Sequence, residues 1–101
     1  MLDKAKIKAA IQMVRRKGWD IQPRVTCIVA AKTCCPIAAL DVANGVLPRL
    51  LSDTAIRHDI SGEAEAFANG FDGLSHWSLG KIRAAYRLGV EMRKEYLAGT
   101  L

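Results

Sequence analysis

Residues 33–45 read TCCPIAALDVANG, and they carry a helix signal at each end. Pro36 suits the first turn of a helix, where its missing N–H group costs nothing, and Gly45 suits the left-handed residue that follows a last turn. Asp41 is the only charged residue between these two positions. The sequence therefore predicts a short helix that is buried at the centre of the fold.

Four more helices are predicted around this central one. The first covers about residues 3–17, with Asp3 near the positive end of its dipole and Gly18 as its stop. Its apolar face consists of Ile7, Ala10, Ile11 and Val14. Three helices follow the centre, over about residues 53–58, 62–69 and 79–97, and each comes after a serine that can cap it. Gly70 is expected to end the helix that precedes it.

Residues 24–34 have a different pattern, because apolar and polar residues alternate there. The alternation predicts a short strand over residues 25–29, paired with Thr33 and Cys34 as a short β-hairpin over about residues 25–34. Residues 20–23 are predicted to be a connector, since Pro23 disfavours a helix before it. A chain of 101 residues forms one domain, spanning 1–101. The predicted fold is mostly α, a single small helical domain of about five helices.

Composition points to a folded protein, since 50% of the residues are hydrophobic and 25% are charged. No apolar run approaches the roughly 18 to 20 residues that a membrane span needs. The basic N-terminal region also lacks the apolar core of a signal peptide. Three cysteines, two of them adjacent, are interpreted as reduced thiols. We therefore expect a cytoplasmic protein with no membrane partner.

The basic residues form two similar rows on the first and last predicted helices. In each row the spacing is i, i+4 and i+11, which places the three side chains on nearly one line beside the apolar face. The rows are Lys4, Lys8 and Arg15, and Arg83, Arg87 and Lys94. If the two helices pack together, the rows merge into one positive surface that attracts phosphates or carboxylates. The sequence thus favours a non-enzymatic interaction protein that binds an acidic protein or a nucleic acid, although most such rows are simply solvated faces.

A helix-turn-helix regulator that binds DNA is the alternative function. The helix over residues 62–69, the turn over 70–77 and the basic helix from Leu79 resemble that layout. The eight-residue connector is longer than the three or four residues of the motif. Lys81 and Arg83 are the only good candidates for reading bases near the start of the second helix.

Cys34 and Cys35 are the candidates for a reactive thiol, because a thiol at a helix start lies near backbone N–H groups and the positive dipole end. The competing interpretation is packing, since free cysteine is among the most buried residue types and no sequence neighbour here supplies a base. A thiol- or metal-dependent activity at Cys34 and Cys35 is the third alternative function, but no metal ligands are predicted, because the cysteines and histidines lack paired spacing. No cofactor and no catalytic residue are predicted.

The turn before the last helix is predicted to be structural and not catalytic. Asp72, Ser75 and His76 are close in sequence, but a catalytic triad is defined by geometry and not by proximity along the chain. His76 and Trp77 are instead expected to pack before the final helix. A homodimer through Leu88 and Met92, expected to be exposed, is left open.

Three motifs carry a resemblance to known sequences: CCPIAAL at 34–40, AFANGFDG at 66–73 and AYRLG at 85–89. The chain resembles small uncharacterised bacterial and phage proteins that contain this pattern. The resemblance implies kinship in fold and an origin in a phage or mobile element. It implies no activity and transfers no catalytic residue.

Overall fold

The computed structural model describes residues 2–101, which contain five helices and three two-residue strands. In chain order the elements are α1 (Lys4–Arg16), β1 (Asp20–Ile21), β2 (Cys27–Ile28), β3 (Thr33–Cys34), α2 (Pro36–Val42), α3 (Leu51–Arg57), α4 (Glu63–Phe71) and α5 (Gly80–Leu97). The mostly helical class predicted from the sequence is confirmed. Within the described part of the chain, no helix is both long and apolar enough to cross a membrane.

Side-chain caps fix the starts of α1 and α2. The carboxylate of Asp3 accepts hydrogen bonds from the backbone N–H groups of Ala5, at 2.9 Å, and Lys6, at 3.3 Å. The thiol sulfur of Cys35 accepts one from Ala38 N–H at 3.3 Å, and Pro36 occupies the first turn of α2. Apart from half-buried Leu40, every residue of α2 is buried, as predicted for the central helix.

The sheet is mixed, with the strand order β1-β3-β2. β2 pairs antiparallel to β3, whereas β1 pairs parallel to it, with Asp20 opposite Thr33 and Ile21 opposite Cys34. A simple hairpin therefore does not describe this region, and the predicted connector contains a strand. The backbone N–H groups of Asp20 and Gln22 donate to the carbonyl oxygens of Lys32 and Cys34, which satisfies this buried edge of β3.

α4 and α5 approach each other closely at two glycines. A Cβ atom on Gly70 would collide with the backbone of Tyr86 and Val90, and one on Gly89 would collide with the carbonyl group of Phe67. Gly70 was predicted to end its helix, but α4 continues through it to Phe71. Gly70 does not cap α4. It allows α4 and α5 to cross closely, because only a residue without a side chain lets the two backbones touch.

Residues of α4 that come later in the chain contact residues of α5 that also come later, so the two helices run in the same general direction. The pairs are Gly62 with Ile82, Gly70 with Val90, and Gly73 with Arg93. The segment 72–79 must therefore run back along the outside of the pair before α5 begins. Arg93 donates from its guanidinium to the carbonyl oxygen of Phe71 at 2.9 Å, which satisfies a group at the end of α4.

Leu88 and Met92 were expected to be exposed, and the structure shows that they are not. Met92 is fully buried and belongs to the main hydrophobic cluster, and Leu88 is half-buried against it. Met92 follows Ala85 and Gly89 at helical spacing, so it lies on the side of α5 that faces α4. These two residues therefore do not offer the exposed face that the homodimer hypothesis needed.

The starts of the later helices also differ from the serine caps predicted. α3 begins at Leu51, and the carboxylate of Asp53 accepts a hydrogen bond from Leu50 N–H at 3.1 Å. Gly62 precedes α4 with φ +81°, and Leu79 precedes α5. Ser61 and Ser78 lie one residue before the capping positions of α4 and α5, and Ser52 lies two residues after that of α3.

Candidate functional site

The segment before α5 is held against α4 and α5 by three contacts. The hydroxyl group of Tyr86 donates to the carbonyl oxygen of Leu74 at 3.0 Å. The imidazole ring of His76 stacks on the Tyr86 ring, with centroids 6.0 Å apart and planes 22° apart. Nδ1 of His76 also lies 2.9 Å from the side-chain amide nitrogen of Asn69, within hydrogen-bond distance. Residues 74–76 are thereby fixed in place on α5.

Trp77, which follows this anchored stretch, points into solvent. Its side chain is 87% exposed, the largest value among the large hydrophobic residues in the part of the chain that the structure describes. The expectation that Trp77 packs with His76 is therefore wrong, although His76 itself is half-buried. His76 is held inward by its contacts with Tyr86 and Asn69, whereas the next side chain along the chain points outward.

Arg83 and Arg87 lie next to Trp77, one helical turn apart on the exposed side of α5. Together with His76, Trp77, Ser78 and Tyr86 they line a cavity of about 170 Å³, which we call the α5 cleft. Neither arginine forms an ion pair with any residue in 2–101, and the same holds for Lys94, which is also exposed. The row predicted on the last helix is thus exposed and forms no ion pair within the described residues.

The row predicted on the first helix is in a different situation. Lys4 pairs with Glu91 at 2.8 Å and with Glu95 at 3.1 Å, and Lys8 pairs with Glu95 at 3.4 Å. The hydrogen bonds that Lys4 donates to Glu91 and Glu95 raise the pKa of Lys4, and the bond to Glu95 lowers the pKa of that carboxylate. Arg15 donates to the backbone oxygen of Leu101. The two rows therefore do not merge into one positive surface, because α5 places two acids between them.

Cys34 and Cys35 are both buried, with their thiols free of disulfides. Burial raises the pKa of Cys34 to about 12 and that of Cys35 to about 11, with hydrogen bonds from backbone N–H groups opposing the second shift. At neutral pH both groups are uncharged thiols, and a neutral thiol is a weak nucleophile. The helix-start position of Cys35 does not offset its removal from water.

A buried carboxylate joins α2 to α3. One oxygen of Asp41 accepts hydrogen bonds from the Thr54 hydroxyl, at 2.7 Å, and from the Arg57 guanidinium, at 2.9 and 2.6 Å. The other oxygen lies 2.9 Å from Nε2 of His58. Burial raises the pKa of Asp41, but these hydrogen bonds lower it by more, so the net shift is downward. Both oxygens are engaged, which makes this a structural cluster between the helices.

The packing of α4 and α5 departs from a helix-turn-helix. The two helices of that motif meet at roughly 90 to 120° across a turn of three or four residues. Here they lie side by side in the same general direction, and the connection runs over residues 72–79. Lys81 is exposed near the start of α5.

The α5 cleft therefore combines an exposed indole ring with two guanidinium groups that form no ion pair within residues 2–101. Groups of this kind bind anions through charge-assisted hydrogen bonds and planar rings through stacking. Among residues 2–101, no cluster of three or more histidine, cysteine, aspartate or glutamate side chains is arranged to hold a metal ion. Comparison of the chain with protein-family models, curated proteins and solved structures finds no match.

Proposed function

We propose that this protein is a small non-enzymatic interaction protein that binds a polyanionic partner, an acidic protein or a nucleic acid, through α5. The observation that carries the proposal is the pair Arg83 and Arg87, exposed and without acidic partners, beside the exposed ring of Trp77. Lys94 extends the same row toward the end of the helix. Three reduced thiols are consistent with the cytoplasmic location that we include in the proposal.

The proposed surface is smaller than the six residues singled out in the sequence. Lys4 and Lys8 already neutralise Glu91 and Glu95, so they have little attraction left for a partner. Arg83, Arg87 and Lys94 keep their full charge, and the long, hydrated side chains can reach phosphates or carboxylates without losing an internal contact. Binding that depends on these three cations must weaken as salt is added, because a polyanion releases its counterions when it binds.

The test measures binding of fluorescent polyanions, namely poly-glutamate, single-stranded DNA and duplex DNA, over a series of salt concentrations. A variant with Arg83, Arg87 and Lys94 all changed to alanine is expected to lose most of the binding and most of its salt dependence. The control replaces three exposed basic residues elsewhere by alanine, namely Lys6, Arg16 and Arg49. Its net charge is the same, so it separates this surface from overall charge. Equal loss in both variants, or salt-independent binding, would contradict the proposal.

The thiol and helix-turn-helix alternatives have less support. A nucleophilic cysteine needs a lowered pKa, and burial raises the pKa of all three thiols here. A helix-turn-helix needs a recognition helix that is free to enter the major groove, and α5 packs along α4 over much of its length. Neither a reactive thiol nor a helix-turn-helix would account for the exposure of Trp77.

A further inference from the structure

We infer that the partner at the α5 cleft is single-stranded nucleic acid, with one base stacked on Trp77 and the neighbouring phosphates held by Arg83 and Arg87. This inference rests on the proposed function and specifies the polyanion. The observation behind it is the juxtaposition of an 87% exposed indole with two guanidinium groups that form no ion pair within the described residues.

The indole ring distinguishes a nucleic acid from an acidic protein. A flat aromatic face in water gains by stacking on a nucleobase, whatever the base, because every base presents a π-face. Carboxylates of an acidic protein are attracted by the arginines alone and gain nothing from the ring. Exposure of so large an apolar side chain is unfavourable in the free protein, so covering it contributes to binding.

The ring is also mounted on a fixed support. The hydrogen bond from Tyr86 to Leu74 and the stacking of His76 on Tyr86 hold the backbone immediately before Trp77. On the other side, α5 begins at Gly80, only three residues later. A backbone held on both sides loses little conformational entropy when a base stacks on the ring that it carries, which favours affinity.

The two arginines suit the backbone of a strand. They are four residues apart on α5, which places them about 6 Å apart along the helix axis. Both also line a second open depression of about 520 Å³ on the far side, with Gly80, Ala84, Leu88 and Glu91. A strand can therefore leave the cleft across the arginines, and Glu91, which pairs with Lys4, limits the positive surface beyond them.

A duplex fits this surface less well than a single strand. Its bases are stacked on each other, so none has a free face for Trp77 unless the helix is opened. The cations that remain are few, and duplex binding by charge alone requires many phosphate contacts. The cleft should accordingly favour a single strand over a duplex of the same sequence.

The experiment measures the affinity of oligothymidylate and oligouridylate, each about a dozen nucleotides long, by anisotropy and by quenching of tryptophan fluorescence. Trp77→Ala is expected to weaken binding of the single strands about tenfold or more, and Trp77→Phe less, since a smaller ring still stacks. Leu97→Ala, which removes another exposed apolar side chain from α5, is the control and should have no effect. Trp19 is present in every variant, so the quenching that Trp77→Ala abolishes belongs to Trp77.

The outcomes separate this inference from the proposed function. Quenching and a selective loss in Trp77→Ala support both, and the DNA and RNA arms show which strand is preferred. Equal affinity for single strand and duplex, with no effect of Trp77→Ala, overturns the inference but leaves polyanion binding intact. Tighter binding of poly-glutamate than of either oligonucleotide also overturns it, in favour of an acidic protein. Binding of none of these polyanions overturns both. Circular dichroism of each variant checks that an effect does not reflect unfolding.

Discussion

Gly89 of α5 lies directly against the backbone carbonyl of Phe67 in α4, so close that a Cβ atom at position 89 would overlap it. Gly70 has the same relation to the backbone of Tyr86. The α4–α5 crossing therefore depends on two glycines, each of which accommodates the other helix. Because Arg83, Arg87 and the support of Trp77 all lie on this pair of helices, the crossing also positions the proposed site.

We expect Gly89→Ala to lower the free energy of unfolding by about 1 to 3 kcal/mol, because a rigid backbone must move to admit the methyl group. At an ordinary helix position the same change would stabilise the protein by up to about 1 kcal/mol. Urea denaturation followed by circular dichroism measures the difference. Ala84→Ser, at an exposed position of α5, is the control and should change little. A Gly89→Ala variant at least as stable as the parent would show that the crossing is not tight.

Asp41→Ala should destabilise the protein by about 2 kcal/mol or more, because it leaves the buried Thr54 hydroxyl and the Arg57 guanidinium without their acceptor. Arg57→Ala should cost less than Asp41→Ala, since much of the guanidinium already contacts water. Equilibrium unfolding in urea gives both values. Glu65→Ala removes an exposed acid from α4 and should be close to neutral. Similar losses for Asp41→Ala and Glu65→Ala would contradict the structural role of the cluster.

Stability should fall in acid, with Asp41 as a main cause. Its pKa in the folded protein lies below the ordinary value of 3.8, so folding is favoured by the ionised form. That contribution is fully present above about pH 5 and is lost as the pH falls through the folded pKa, below 3.8. Glu95, whose pKa Lys4 and Lys8 also lower, adds to the loss in the same direction. Denaturation midpoints measured from neutral to acidic pH should decline less steeply for Asp41→Asn than for the parent protein.

The three thiols should react in a fixed order. Cys27 is half-buried, whereas Cys34 and Cys35 are buried and have pKa values of about 12 and about 11. Alkylation at neutral pH is therefore expected to label Cys27 first and the other two only as the protein unfolds. Mass spectrometry after timed iodoacetamide treatment, with and without urea, identifies the labelled residue. Rapid labelling of Cys34 or Cys35 in the native protein would revive the reactive-thiol hypothesis.

The sequence predicted those parts of the fold that depend on local signals. Asp3 caps α1, Pro36 begins α2 and the left-handed Gly45 follows it, because each of these roles involves only near neighbours in the chain. The prediction that Gly70 ends its helix was wrong, because a glycine near the end of a helical pattern gives the same signal in two cases. It can end the helix, or it can lie where a second helix packs closely against the first. Only the position of Gly89 on the partner helix distinguishes the two. The β1 strand was missed because two residues cannot show an alternation.

One part of the candidate site, the row of basic residues on α5, also depends on a local pattern in the sequence. The helical spacing of Arg83, Arg87 and Lys94 predicted that they share one side of the helix beside its apolar stripe, and all three are exposed on α5. The partners of Lys4 and Lys8 lie 87 positions away, and no local pattern connects them. Trp77 was expected to pack with His76 before the final helix, but it is exposed. Its exposure follows from the contacts of His76 and Leu74 with Tyr86, which the sequence does not display.

The ion pairs between α1 and α5 also set an order of events during synthesis. A ribosome adds about 5 to 20 residues each second, so α1 emerges several seconds before Glu91 and Glu95 have been made. During that interval the acidic residues that pair with Lys4 and Lys8 in the folded protein are absent. Docking of the first helix on the last must therefore be a late event, completed only after the growing chain has reached the end of α5.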